Sequence, residues 1–147
     1  MALSREHHYS LLFCWKLRRG VKLGVEPERM MDYVAYFHKR FLFPHFEEEE
    51  RVLFKWVKDD AQIAKAIQEH QQIKAMIHSM PAVYDTGKPA AFEQLADAVD
   101  AHVRFEERVL FPHLEHILSE DQLKGVEAQL TSPVLKDTYG DPFWSVK

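Results

Sequence analysis

The decamer HVRFEERVLF, residues 102–111, restates most of HFEEEERVLF, residues 45–54, which precedes it by 57 residues. Each copy holds a histidine four residues before a glutamate: His45 with Glu49, and His102 with Glu106. On a helix, residues i and i+4 share a face, one turn apart. The apolar pairs Val52-Leu53 and Val109-Leu110 continue that stripe, so both His-Glu pairs are expected to point into a helical core. Burying an ionised carboxylate costs several kcal/mol unless something compensates. A divalent or trivalent cation compensates well, so the repeat demands packed helices with a polar layer inside them. The flanking Glu47, Glu48, Glu50 and Glu107 are expected on the solvated face, where charges usually stay.

Apolar spacing divides the chain into helices. Residues 3–23 place Leu3, Leu11, Cys14, Leu17 and Val21 at helical intervals, and Gly20 and Gly24 then loosen the chain. Pro27 suits the first turn of a second helix over 27–58, which Pro44 should kink or split into two stacked segments. Asp59-Asp60 supplies an N-cap for a third helix over 60–79, ended by Pro81 and followed by the loop YDTGKP, 84–89. A fourth helix spans 90–117, and Ser119 with Gln122 reads as a capping box for a short helix over about 120–130. The tail after it reads as irregular, with Phe143-Trp144 pinning it to the rest. No stretch alternates with period 2. The expected fold is therefore all-α: an up-down-up-down four-helix bundle with a short C-terminal helix and an irregular tail. The 147 residues fit one domain, with the bundle over about 3–117 and the C-terminal helix and tail over 118–147.

Composition removes several function classes. A net charge of −4, without a basic patch, argues against nucleic acid as a partner. No run of 18 apolar residues exists, and the charged start MALSREHHYS has no apolar signal region, so no membrane association is expected. A single cysteine, Cys14, fits a reducing, cytoplasmic setting. Nine histidines in so short a chain direct attention to metal.

Depth along the bundle picks out the ligands. His7 lies about 18 residues before the first turn and His45 about 20 after it; His70 lies about 11 after the second turn, and His102 about 17 after the third. At about 1.5 Å per residue these positions fall in one layer to within one or two turns. The resulting set is His7, His45, Glu49, His70, His102 and Glu106, drawn from all four helices. On the first helix His7 is preferred because it shares a face with Leu11, Cys14 and Leu17, while His8 is held in reserve. Four histidines and two carboxylates suit two ions. Nitrogen and oxygen donors without thiolates favour iron or manganese, with zinc possible.

With these residues the chain resembles the hemerythrin-like, HHE cation-binding family. The matching pieces are EHHYSLL (6–12), HFEEEERVLF (45–54), EHQQI (69–73) and HVRFEERVLFPHLE (102–115). The resemblance implies a four-helix bundle around a non-haem di-iron centre, with His7, His45, His70 and His102 as terminal ligands and Glu49 and Glu106 as bridges. It implies a protein that binds or senses O2 or NO, and as the other reading a di-iron enzyme that reduces NO or peroxide, or that serves iron handling and repair of iron centres. Two departures stand out. Oxygen-carrying hemerythrins have a second histidine four residues after the third-helix ligand, where this chain has Lys74. Their fourth-helix motif is His-x4-Asp, where this chain has His-x3-Glu.

Other residues are weighed against bland roles. His38, two turns before His45, is a candidate for a group behind the ligands or for the missing histidine. His113 and His116 are expected near a bundle end, and His78 on another face from His70. Phe41, Ile67, Val99 and Leu110 are candidates for an apolar pocket beside the metals that admits diatomic gases.

Overall fold

A computed structural model describes residues 2–84, 89–130 and 137–145. Among them there is no strand, and the helices pack as a bundle. Helix α1 (Ala2–Lys22) ends in a Schellman turn. Gly24 adopts φ 68°, Val25 N–H donates to the Gly20 carbonyl at 3.0 Å, and Gly24 N–H donates to that of Val21 at 3.1 Å. Helix α2 (Pro27–Phe37) then starts on Pro27 as expected.

The second rod is not one regular helix. After α2 comes a π-helical turn, His38–Leu42, then α3 (Phe43–Glu48), a second π turn, Glu49–Leu53, and a 3-10 turn, Phe54–Trp56. The kink expected at Pro44 takes the form of the first π turn. A proline lacks an N–H and its ring crowds the carbonyl four residues back, and a wider turn just before it relieves both problems. The same solution recurs in the last rod. There α5 (Ala90–Phe105) runs through a π turn, Glu106–Leu110, into α6 (Phe111–Ile117), with Pro112 in the first turn of α6.

Helix α4 (Ala61–Tyr84) is capped by Asp60, whose Oδ1 accepts from Gln62 N–H at 2.9 Å and Ile63 N–H at 3.1 Å. Pro81 does not end this helix, contrary to expectation; it lies in its last turn, where its missing N–H removes one hydrogen bond without breaking the rod. Most of the expected loop, residues 85–88, lies outside the described residues. The capping box of α7 (Glu120–Gln129) is present in full, with Ser119 and Gln122 exchanging bonds of 2.9 and 3.1 Å.

Packing runs α1 on α2, α2 on α4, α4 on α5 and α5 back on α1, which closes the bundle. Among the described residues its apolar interior is two clusters rather than one. The larger gathers Phe13, Leu17, Tyr33, Phe37, Phe92 and Leu95, among others, and includes Phe143 of the tail. The smaller gathers Leu53, Ile63, Leu110, Leu114 and Val126 of α7. The tail is pinned as expected: Phe143 is buried, and the buried Lys16 ammonium lies 3.9 Å from the Trp144 ring while pairing with Asp137 at 3.1 Å. Leu11 and Val21 are only part-buried, and Val109, expected on the inward stripe with Leu110, is open. Val109 is 42% exposed although its counterpart Val52 is fully covered. Both residues hold the same place in matching π turns, so the difference lies in packing: α7 lies against the turn that carries Val52 and brings Val126 into its cluster.

Candidate metal centre

His7 on α1, His45 on α3, His70 on α4 and His102 on α5 meet at one level with Glu49 and Glu106, the first residues of the two matching π turns. All six are buried, and Glu49, His70 and Glu106 have no exposed surface. They form two groups positioned to hold a metal ion each: His7, His45, Glu49 and Glu106, and Glu49, His70, His102 and Glu106. Within each group the ligand atoms lie within 4.8 Å of one another. The two glutamates are common to both groups, so they stand where bridges between two ions would stand.

The side chains fit a pair of cations. His45 Nε2, His70 Nε2, His102 Nε2, both Glu49 oxygens and Glu106 Oε2 are buried without a hydrogen-bond partner. Histidine nitrogens approach the carboxylate oxygens at 3.2 Å (His45 to Glu49; His102 to Glu106), 3.3 Å (His70 to Glu49) and 3.8 Å (His70 to Glu106). So many orphaned polar atoms in one dry place cost free energy unless an ion satisfies them. His7 differs, since its Nε2 meets Glu106 Oε1 at 2.9 Å.

Electrostatics of the metal-free layer carry the same message. Burial raises the Glu49 carboxyl far above its ordinary range, and the adjacent Glu106 charge raises it further. Burial also works against ionisation of Glu106, but the close approach of Glu49, His102, His7 and His70 outweighs it and holds that carboxyl well below the ordinary range. Burial disfavours charge on His102, yet the nearby Glu106 carboxylate and the bond to Glu69 lift it to about 9. His70 is raised in the same way by Glu106 and Glu49. Two carboxylates and four imidazoles so close together keep their ordinary charges only at a cost that a cation among them would offset.

The outer ring nitrogens are also occupied. His7 Nδ1 faces Glu107 at 2.7 Å, His45 Nδ1 faces Glu6 at 2.5 Å, His70 Nδ1 faces Glu50 at 3.1 Å and His102 Nδ1 faces Glu69 at 2.8 Å. This corrects the expectation that Glu50 and Glu107 are merely solvated, and Glu6 and Glu69 went unread. A signal for them exists in the sequence. Each sits beside a candidate ligand: Glu6-His7, Glu49-Glu50, Glu69-His70, Glu106-Glu107. A carboxylate on the second nitrogen fixes the tautomer and orientation of a ligating imidazole. Phe46 adds steric support, stacked on His70 at 4.0 Å and edge-on to His102 at 5.4 Å.

The remaining residues sort cleanly. His8 is exposed, so the first helix offers His7. His38 belongs to neither metal group. It lines a groove of about 410 Å³ with Met31, Phe43, Lys74, Ile77, His78 and Pro81. Lys74 lies with its ammonium 5.6 Å from the Phe43 ring. His113 pairs with Asp60 at 2.6 Å at the α4 end, and His116 is exposed. The four residues expected to form one gas pocket are divided, since Val99 and Phe41 pack in the larger core while Leu110 and Ile67 pack in the smaller.

The hemerythrin HHE cation binding domain family matches residues 2–114, most of the chain and the whole of this layer. The chain belongs to that family. Its two histidine–glutamate groups are arranged as the family's di-iron ligand sets. A DNA nickase of Nostoc sp. (strain PCC 7120 / SAG 25.82 / UTEX 2576) is 30% identical over 106 residues, which are 66% of this chain and 29% of the Nostoc protein. The chain thus spans under a third of that relative, whose name describes the whole of the longer protein. No solved structure gives a significant match. Among the described residues, no helix is long and apolar enough to cross a membrane.

Proposed function

We propose that His7, His45, His70 and His102 each bind one of two iron ions through Nε2, that Glu49 and Glu106 bridge them, and that the chain binds or senses O2 or NO at this centre. The observation that carries the reading is the sharing of both buried glutamates between two histidine pairs, with the inward-facing atoms left unpartnered. Two iron ions so held would supply open coordination positions and electrons for a diatomic ligand. The chain's own residues do the rest. The histidines give each ion two neutral donors, the glutamates offset charge, and Phe46 with the two apolar clusters keeps water from the layer. Metal analysis should find two irons per chain. Optical spectra of the reduced protein should change on adding O2 or NO and revert when the gas is removed. A chain that contains no metal and ignores added Fe(II) would defeat the proposal.

Lys74 favours a second reading, reductive turnover of NO or peroxide. The place where oxygen carriers have a fifth histidine holds a lysine directed at Phe43, so neither ion gains a third imidazole. More exchangeable positions suit chemistry better than storage. Sustained consumption of NO or peroxide with an added reductant would establish this reading, and a single stoichiometric reaction would count against it.

A further inference from the structure

The four outer carboxylates are not independent. Glu6 on α1 holds His45 on α3, and Glu50, one residue after the bridge position of that rod, holds His70 on α4. Glu69 on α4 holds His102 on α5, and Glu107, just beyond α5, holds His7 on α1. Each rod gives a carboxylate to the histidine of the next, and the series closes on itself. The two halves of the ring are related as the two decamers are: Glu6, His7, His45 and Glu50 match Glu69, His70, His102 and Glu107.

We propose that Glu6, Glu50, Glu69 and Glu107 form a closed outer ring that positions the four inner histidines and biases a bound iron pair toward its oxidised state. The first half of the proposal is geometric. An imidazole that donates Nδ1–H to a carboxylate must present Nε2 to the centre. No ligand is then positioned by its own helix alone, because each one's orienting partner stands on a neighbour. The second half is electrostatic. Oxidation adds positive charge to the centre. It does so inside a shell of four part-exposed carboxylates, beyond the two that bridge, whose charge solvent screens in part but does not cancel. The hydrogen bonds act in the same direction, since a carboxylate partner makes the imidazole a stronger donor to the metal. Among the ion pairs of the described residues, the cation that reaches the ring is Lys65, 3.9 Å from Glu69 and 54% exposed, too loose to cancel the ring's charge. The ring is reachable from solvent: Glu6 and Glu107 are each 39% exposed at the side chain, and Glu50 lines an open groove with Phe54, Asp60 and Ile63.

The electrostatic half rests on the di-iron reading above, and the tests separate the two. In the full chain, Glu50→Gln and Glu107→Gln keep an acceptor oxygen for the imidazole and remove the charge, while the corresponding Ala variants remove both. Anaerobically loaded Gln variants should keep two irons, and their midpoint potential, read by spectroelectrochemical titration, should rise above wild type, further in the double variant. Ala variants should bind iron about 10- to 100-fold more weakly. Gln variants at the wild-type potential or below it overturn the electrostatic half. Folded Gln variants that lose iron overturn it too, by showing that charge rather than hydrogen bonding holds the ligands. A wild-type chain that takes up no iron overturns the di-iron reading instead. The ring geometry is then read without metal, from histidine Nδ1–H signals in long-range ¹H–¹⁵N spectra. Glu50→Ala should perturb His70 on the next rod and leave His45, on its own rod, unmoved. Perturbation of His45 alone overturns the ring.

Discussion

Glu49 and Glu106 are the residues on which the polar layer depends, because each serves both metal groups while wholly buried. Replacing both by Ala should abolish iron uptake in metal analysis while circular dichroism stays helical, since the fold rests on the two apolar clusters. A folded double variant with full metal content would remove these residues from the centre. Cys14 behaves oppositely to a reactive thiol. It is 1% exposed, and burial pushes its pKa up to about 12 against the pull of Arg18. The nucleophile is the thiolate, so alkylation at neutral pH should be negligible in the folded chain and fast in denaturant. Rapid labelling of native protein would contradict this packing. At this scale the histidines and bridging glutamates were legible, because ligand residue types at i, i+4 spacing on an apolar stripe are rare without a reason. The outer carboxylates were not read, because the one signal a glutamate gives there, a place beside a candidate ligand, is weak enough that Glu48 shares it. Only the neighbouring helix reveals its partner.

Elements carry the layer through local devices that can be tested one at a time. Gly20 lets α1 approach its neighbours, since a Cβ there would stand 2.5 Å from Met30 Sδ and 2.9 Å from a Phe143 ring carbon. Gly20→Ala should therefore destabilise by about 1–3 kcal/mol, as overpacking does, seen as a lower denaturant midpoint. An unchanged midpoint would mean the tail yields freely. Asp60 caps α4 and pairs with His113. Burial opposes its ionisation, but the His113 bond and the N–H groups of Ile63 and Gln62 outweigh it, so its pKa falls below the ordinary 3.8. A depressed carboxyl contributes stability above its unfolded pKa and loses it as pH falls through the folded one. Asp60→Ala should cost about 1 kcal/mol near neutrality, and the gap in Tm from wild type should close as pH drops below 3.8. A gap that persists in acid would assign the loss to packing. Helix positions and caps were readable from apolar spacing, prolines and the capping box. The three π turns among the described residues were not, because α-helical periodicity is assumed in reading the stripe, and the exposure of Val109 was not, because it depends on where α7 packs.

The whole molecule is a bundle with two apolar cores and a polar layer contributed by four rods. The layer by itself works against folding, because it buries carboxylates and unpartnered nitrogens. Iron should therefore stabilise strongly. Loading should stabilise the fold by about 2.7 kcal/mol per site at a hundredfold excess over Kd, seen as a concentration-dependent rise in Tm, and chelation should reverse it. A Tm indifferent to metal would separate the layer from the stability of the fold. What the sequence by itself determined is the class of fold, the four rods and the two His–Glu pairs, since these follow from spacing within single helices, with His70 added by its depth along its rod. What only the tertiary structure decided is which of two adjacent histidines on α1 turns inward, the two-and-two division of histidines around shared glutamates, and the ring of outer carboxylates. Each of these depends on distances between rods far apart in the chain, and such distances are set by packing.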